Sequence, residues 1–133
     1  SNPTIDQFTI VTATAGGQGI VHREGTAGQI SNGIVITNNA GKANIEIRSA
    51  QTLTNGLAYS GDMVLSQSAS IHYKGAAENL NDAILGDVTD AEVQTLVEGA
   101  TVTTDATGAT LATLQTATPT AGTDVQAMPA WTK

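Results

Sequence analysis

The residues with the clearest potential for chemistry are glycines that follow an apolar run near the start of the chain. Gly16, Gly17 and Gly19 come after residues 8–11, as a phosphate-binding loop follows its strand. The dinucleotide-binding fingerprint needs a third glycine at the position of His22 and a helix that begins there. The glycine-rich residues that come next cannot sustain a helix, and no Gly-Lys-Ser/Thr occurs in the chain. The pattern therefore predicts a turn between strands.

The histidines and acidic residues form no catalytic or metal-binding pattern. His22 precedes Arg23 and Glu24, but neighbours in a strand point to opposite faces, so they cannot act as a base with its orienting carboxylate. His72 has no further ligand at metal-binding spacing. Four acidic residues cluster without the alternation of a calcium loop: Asp82, Asp87, Asp90 and Glu92. We therefore predict no catalytic residue, no metal site and no cofactor, and that the protein is not an enzyme.

The composition excludes several classes of partner. The formal net charge is −7, with five Lys and Arg residues in all, so no basic stripe is present to neutralise nucleic-acid phosphates. No long apolar segment or charged leader is visible, which predicts no membrane contact. Charged residues make up 13% of the chain and aromatic residues 3%. A surface of this kind suits β-strands that contact neighbouring subunits.

Turn and strand signals dominate the chain as far as Gly75. The pairs Asn32-Gly33 and Asn55-Gly56 lie between strand-like residues and predict two tight hairpins. Residues 43–48 alternate between apolar and polar types, which predicts a half-buried antiparallel strand. In this strand Ala43, Ile45 and Ile47 would point inward, and Asn44, Glu46 and Arg48 outward.

Helical signals are confined to one region. Thr89 and Glu92 have the spacing of a capping box, Val88 and Val93 that of a hydrophobic staple, and Gly99 would end the helix. Residues 77–84 also have helical spacing and predict a second short helix before it.

These elements predict a mainly β fold in one domain, residues 1–133. About eight short strands separated by turns, with a helical insertion near residues 77–98, are typical of an antiparallel β-sandwich or a jelly roll. We find no internal repeat at a solenoid period. A parallel α/β sheet would need a helix between successive strands, and the sequence before Ala76 offers none. Residues 1–19 and 116–133 are interpreted as extended segments.

The C-terminal tail carries an unusual apolar group. Met128, Pro129 and Trp131 include the only tryptophan of the chain, although the ends of isolated domains usually favour polar residues. We hypothesise that these three residues form an arm that anchors on a neighbouring subunit or a capsid. The alternative is that Trp131 folds back as a lid on its own core.

The glycine-, threonine- and alanine-rich residues 12–19 and 116–133, the two Asn-Gly pairs and the size of the chain resemble those of tailed-phage capsid decoration (cement) proteins. The resemblance implies a structural protein on the capsid exterior of a virion, bound to the major capsid protein and to copies of itself. The alternative is a pilin-like subunit of a prokaryotic surface filament, outside the cell, whose N-terminal strand within residues 5–14 completes a neighbour's sheet. A small secreted binding module or enzyme is a third class.

Overall fold

The structure, a computed structural model, describes residues 2–23, 25–80, 83–105 and 122. The strands are β1 (Thr4–Thr12), β2 (Ile20–His22), β3 (Gln29–Thr37), β4 (Ile45–Ile47), β5 (Ala58–Ser60), β6 (Asp62–Ser66), β7 (Tyr73–Gly75), β8 (Ala77–Leu80), β9 (Ala83–Asp87) and β10 (Thr101–Asp105), and the helices are α1 (Ala50–Thr54) and α2 (Asp90–Val97). Neither helix of these described ranges is long and apolar enough to cross a membrane.

The strands form two larger sheets that are parallel throughout. Sheet A has the order β1-β3-β6-β10, and β5 also pairs with β3; sheet B has the order β2-β4-β7. The pairings within both sheets are parallel, and among the described strands antiparallel pairing is confined to β8 with β9. The antiparallel β-sandwich or jelly roll predicted from the sequence is therefore wrong.

The chain alternates between the two sheets and so forms a coil. β1 is followed by β2 of sheet B, β3 by β4, and β6 by β7. Thr4 lies against Gln29 and Ile34 against Val64, and each pair joins equivalent positions of successive coils. This is a β-solenoid. The prediction failed because it assumed that successive parallel strands are connected by a helix. Here a strand of the other sheet connects two parallel strands of the same sheet.

The pair Asn32-Gly33 forms a corner of the coil. Asn32 has a φ of 55°, and the residues beside it in the neighbouring coils, Gln7 and Gly61, have φ of 50° and 65°. These stacked left-handed residues bend sheet A without reversing the chain, so β3 continues to Thr37. The predicted hairpin at this pair is wrong, because a type I′ turn needs a positive φ at both residues and here Asn32 has one but Gly33 does not.

The second pair ends a helix. Asn55 is the C-cap of α1, and Gly56 follows with a φ of 90°. Glycine in the left-handed conformation is common just after a helix, because it has no Cβ to clash. The predicted hairpin at Asn55-Gly56 is therefore also wrong.

The core lies between the two sheets and extends to the helices. Ala43, Ile45 and Ile47 are buried, as predicted. Asn44 and Glu46 are buried as well, with 0% and 6% of their surface exposed, so their predicted outward exposure is wrong. Asn44 points into the coil, where its amide donates to Val35 O and Ser66 O. Glu46 accepts hydrogen bonds from Gln18 and Arg48.

The helix predicted after Val88 is confirmed, and the helix predicted before it is wrong. Thr89 is the N-cap of α2, and its side chain and that of Glu92 form both bonds of the predicted capping box. Val88 and Val93 of the predicted staple are buried. The helix predicted over residues 77–84 is wrong, because β8 and β9 pair there as an antiparallel ribbon.

Replacement of Thr89 by alanine should lower the free energy of unfolding by about 1 kcal/mol, because the amide of Glu92 loses its acceptor. Urea denaturation measures the change. Thr95→Ala, at an exposed site of the same helix, is the matched control and should change stability by less than about 0.5 kcal/mol. Equal stability of Thr89→Ala and the wild type would contradict a contribution of the cap.

Candidate functional site

A polar cleft of about 620 Å³ lies between β7 and α2. β7 contributes Tyr73, with His72 just before it, and α2 contributes Asp90 and Gln94, with Glu98 at its end. The parallel pairing of β7 with β4 and the capping box of α2 set the two walls of the cleft. Its side chains include a histidine, a tyrosine and two carboxylates, which are residue types that can bind a ligand or transfer a proton.

The carboxylates of the cleft are engaged by neighbouring groups of the same chain. Glu98 accepts hydrogen bonds from the Tyr73 hydroxyl at 3.3 Å and from Gln94 Nε2 at 3.0 Å. Asp90 accepts one from the Gly75 amide at 2.8 Å. Burial, and then the charge of Glu98, raises the pKa of Tyr73 to about 12, so the hydroxyl stays protonated at neutral pH. These contacts hold α2 against β7.

His72 is oriented by a buried amide. The two N–H groups of Asn44 Nδ2 are shared among three acceptors, Val35 O at 3.2 Å, Thr37 Oγ1 at 2.9 Å and Ser66 O at 2.9 Å. The amide nitrogen therefore faces these acceptors, and Asn44 Oδ1 accepts from His72 Nδ1 at 2.8 Å. Burial lowers the pKa of His72, so the ring is neutral at pH 7 and its Nε2 carries the lone pair. The arrangement can accept one hydrogen bond from a ligand in the cleft.

Asn44→Ala should destabilise the protein by about 3 kcal/mol or more, since buried acceptors on two coils lose their donor. Chemical denaturation measures the loss. Asn38→Ala is the control: its side-chain amide donates to the Thr12 carbonyl at the surface, and its removal should cost less than about 1 kcal/mol. Similar losses in the two variants would contradict the assigned importance of the buried amide.

His22 forms a second buried pair, inside the core. A 2.7 Å hydrogen bond joins His22 Nε2 to the Tyr59 hydroxyl, and the rings meet edge to face at 5.8 Å. Their exposed fractions are 5% and 3%. Burial lowers the pKa of His22 to about 4 and raises that of Tyr59. The core encloses the pair. The sequence analysis rejected His22 as a general base oriented by the carboxylate of Glu24, and Glu24 lies outside the described residues.

The pKa of His22 implies that stability decreases as the pH falls from about 6.5 towards 4. The unfolded chain takes up a proton near the ordinary pKa of 6.5, whereas the folded protein keeps the ring neutral down to a pH of about 4. The unfolded state therefore binds more protons in this window, which lowers the free energy of unfolding by up to about 3 kcal/mol. Urea denaturation across the window measures the slope.

The matched variant for this test is His22→Asn, which cannot titrate in the same range. Its stability should depend less on pH above about pH 5, where most carboxylates remain ionised, and the slope that is left comes from His72, whose pKa is also lowered. Equal slopes for the wild type and His22→Asn would contradict the assignment.

The other residues singled out in the sequence do not meet in a site. The glycine loop connects β1 to β2, with the Gly16 amide bonded to Ala13 O at 2.9 Å, and no helix follows it; the predicted turn is confirmed. Asp87 lies in β9 and Asp82 outside the described residues. Within the described ranges, no three His, Cys, Asp or Glu side chains are placed to hold a metal ion.

The first strand of the chain is partly exposed. β1 is the end strand of sheet A and, among the described strands, pairs with β3. Ile5 lies beside the core residue Ile30 and is 45% exposed. Phe8, Ile10 and Ile20 are half-buried against the core. The first coil therefore exposes part of the end of the hydrophobic core, on a strand that pairs on one side only with another described strand.

What the sequence analysis missed is the partner of the first strand. Its filament alternative placed a strand within residues 5–14 in a neighbour's sheet, whereas the structure pairs β1 with β3 of the same chain. The apolar residues 8–11 were the available signal for the strand, and nothing in the sequence indicated its partner. The proposed anchor residues of the tail, Met128, Pro129 and Trp131, lie outside the described residues.

In the comparisons with known proteins, no family model, no curated protein and no solved structure matches the chain.

Proposed function

We propose that the chain is a structural protein that decorates the exterior of a virus capsid and stabilises it. It does so through contacts with the major capsid protein and with other copies of itself. The observation that carries this proposal is the exposure of β1: among the described strands it pairs with β3 alone, and its Ile5 and Val11 are 45% and 58% exposed. The proposal includes neither a catalytic step nor a cofactor.

An open strand edge supports assembly because its backbone groups can pair with a strand of another subunit. Natural proteins often block such edges with lysine or an inward-pointing charge. β1 contains one charged residue, Asp6, and this carboxylate accepts hydrogen bonds from Asn32 and Ser31, both at 2.8 Å. These bonds, first that from Asn32, lower the pKa of Asp6. The charge is thus held at the corner of the coil, and the rest of the edge is uncharged.

The chemistry of the edge indicates the kind of partner. Ile5 at the end of the core and Val11, 58% exposed, offer apolar contact, while the backbone offers hydrogen bonds without regard to sequence. A strand at the edge of a capsid subunit could form the backbone hydrogen bonds, and its apolar side chains could cover Ile5. The low charge content of the chain is consistent with a contact that depends little on ion pairs.

The filament alternative receives less support from the fold. A donor strand would have to leave its own sheet, but β1 pairs with β3 from Thr4 to Thr12. The edge of β1 is therefore better suited to accept a strand than to supply one.

The decisive experiment locates the protein in particles purified from its source and then perturbs the edge. Cryo-electron microscopy of these particles should show the chain on the capsid exterior. Ile5→Lys places a charge at the open end of the core and should weaken binding to capsids stripped of the protein by at least about tenfold. The lysine stem can still cover apolar surface, so the melting temperature should change little.

Thr95→Lys adds the same charge at an exposed position of α2, away from β1, and should bind as the wild type does. Co-sedimentation with the stripped capsids compares the three proteins. Absence of the chain from purified particles, or equal binding of Ile5→Lys and Thr95→Lys, would refute the proposal.

A further inference from the structure

The outward face of sheet A carries a buried apolar cluster that is separate from the core. Ile34 and Val64 are 0% exposed and Ile36 is 8% exposed. Their strand neighbours Val35 and Leu65 belong to the core cluster, whereas these three residues do not. Because successive side chains of a strand point to opposite faces, the three face away from the core. We call Ile34, Ile36 and Val64 the outer cluster.

The described helices do not account for this burial. α2 packs on β4, β5 and β7, and α1 on β9. Because Ile34 and Val64 are fully buried, other atoms of the chain must cover this face of sheet A. Burial of such apolar side chains is favourable.

Gly122 is the described residue that identifies the cover. Its amide donates to Asn32 O at 2.6 Å, and the residue is buried. A Cβ at this position would lie 2.6 Å from Ile34 Cδ1 and 3.0 Å from Thr9 Oγ1. The backbone at Gly122 therefore lies directly on the outer cluster, at the left-handed corner of β3.

We propose that the outer face of sheet A is a docking surface for the C-terminal segment of the same chain, residues 106–133, with Gly122 as its anchor. The length of the segment fits. β10 ends at Asp105 and is separated from β3 by β6 alone, a distance of about 10 Å between strand axes. The stretch from residue 106 to Gly122 spans far more than this when extended.

The chemistry of the segment also fits the surface. Residues 106–133 contain two charged side chains, Asp124 and Lys133. Leucine, valine, methionine and tryptophan side chains are available to cover apolar surface: Leu111, Leu114, Val125, Met128 and Trp131. Docking at Gly122 makes the segment a third layer on sheet A, distinct from the edge of β1.

The anchor is tested in the full chain with two glycine variants. Gly122→Ala and Gly56→Ala both place a methyl group on a left-handed residue, since the φ values are 80° and 90°. The added methyl group meets Ile34 at Gly122, whereas nothing lies within 4 Å of it at Gly56. Gly122→Ala should therefore shift the Ile34 δ1 methyl resonance and increase binding of the dye ANS by at least about twofold, and Gly56→Ala should do neither.

The wild-type protein supplies an independent measurement. Its Gly122 amide should exchange with deuterium at least about tenfold more slowly than in an unstructured peptide, and should show a nuclear Overhauser effect to the Ile34 δ1 methyl group. Both should be independent of protein concentration. Exchange at the peptide rate would overturn the proposal. So would protection that increases with concentration, because the segment of another copy would then be the occupant.

Discussion

The side chain of Asn44 is the interaction on which the coil most depends. A buried amide must find partners for its donors and its acceptor, because unpaired polar groups are costly in a core. Asn44 meets this requirement by bonding β3 and the end of β6, and by accepting a hydrogen bond from His72. It thus ties sheet B to two coils of sheet A at once. No apolar side chain of that size could hold the same three segments in register.

The remaining coil geometry follows from stacking in register. Ile10 lies against Val35 and Val35 against Leu65, so each coil places an apolar side chain over that of the next. Polar residues at the corners are stacked in the same way, with Gln67 bonded to the carbonyls of the preceding turn, among them Ala40 O at 2.9 Å. A stack of parallel coils has two ends, and at each end the apolar core must be covered by a capping element or by a binding partner. The insertion of β8, β9 and α2 follows the third coil, whereas the first coil presents β1.

The two proposals concern different surfaces of sheet A and different physical terms. The edge of β1 offers backbone hydrogen bonds and the exposed end of the core, which suits a partner from outside the chain. The outer cluster is an apolar face, and its proposed cover is residues 106–133 of the same chain and not an outside partner. The polar cleft beside α2 has less to offer a ligand, since Glu98, Asp90 and Tyr73 are bonded within the protein.

Local features could be derived from the residue order, since short-range physics decides them. The capping box at Thr89, the turn after β1 and the inward direction of Ile45 and Ile47 depend on residues within a few positions of one another. Each Asn-Gly pair contains one left-handed residue, Asn32 in the first and Gly56 in the second. A corner or a helix end needs one such residue, whereas a type I′ hairpin needs two. Which of these forms depends on contacts with other coils. Strand direction, the burial of Asn44 and the exposure of β1 likewise arise from register between strands that are far apart in the chain, as in the pairing of Thr4 with Gln29. Because the coils differ in length and carry no repeated motif, only the packed structure could decide them.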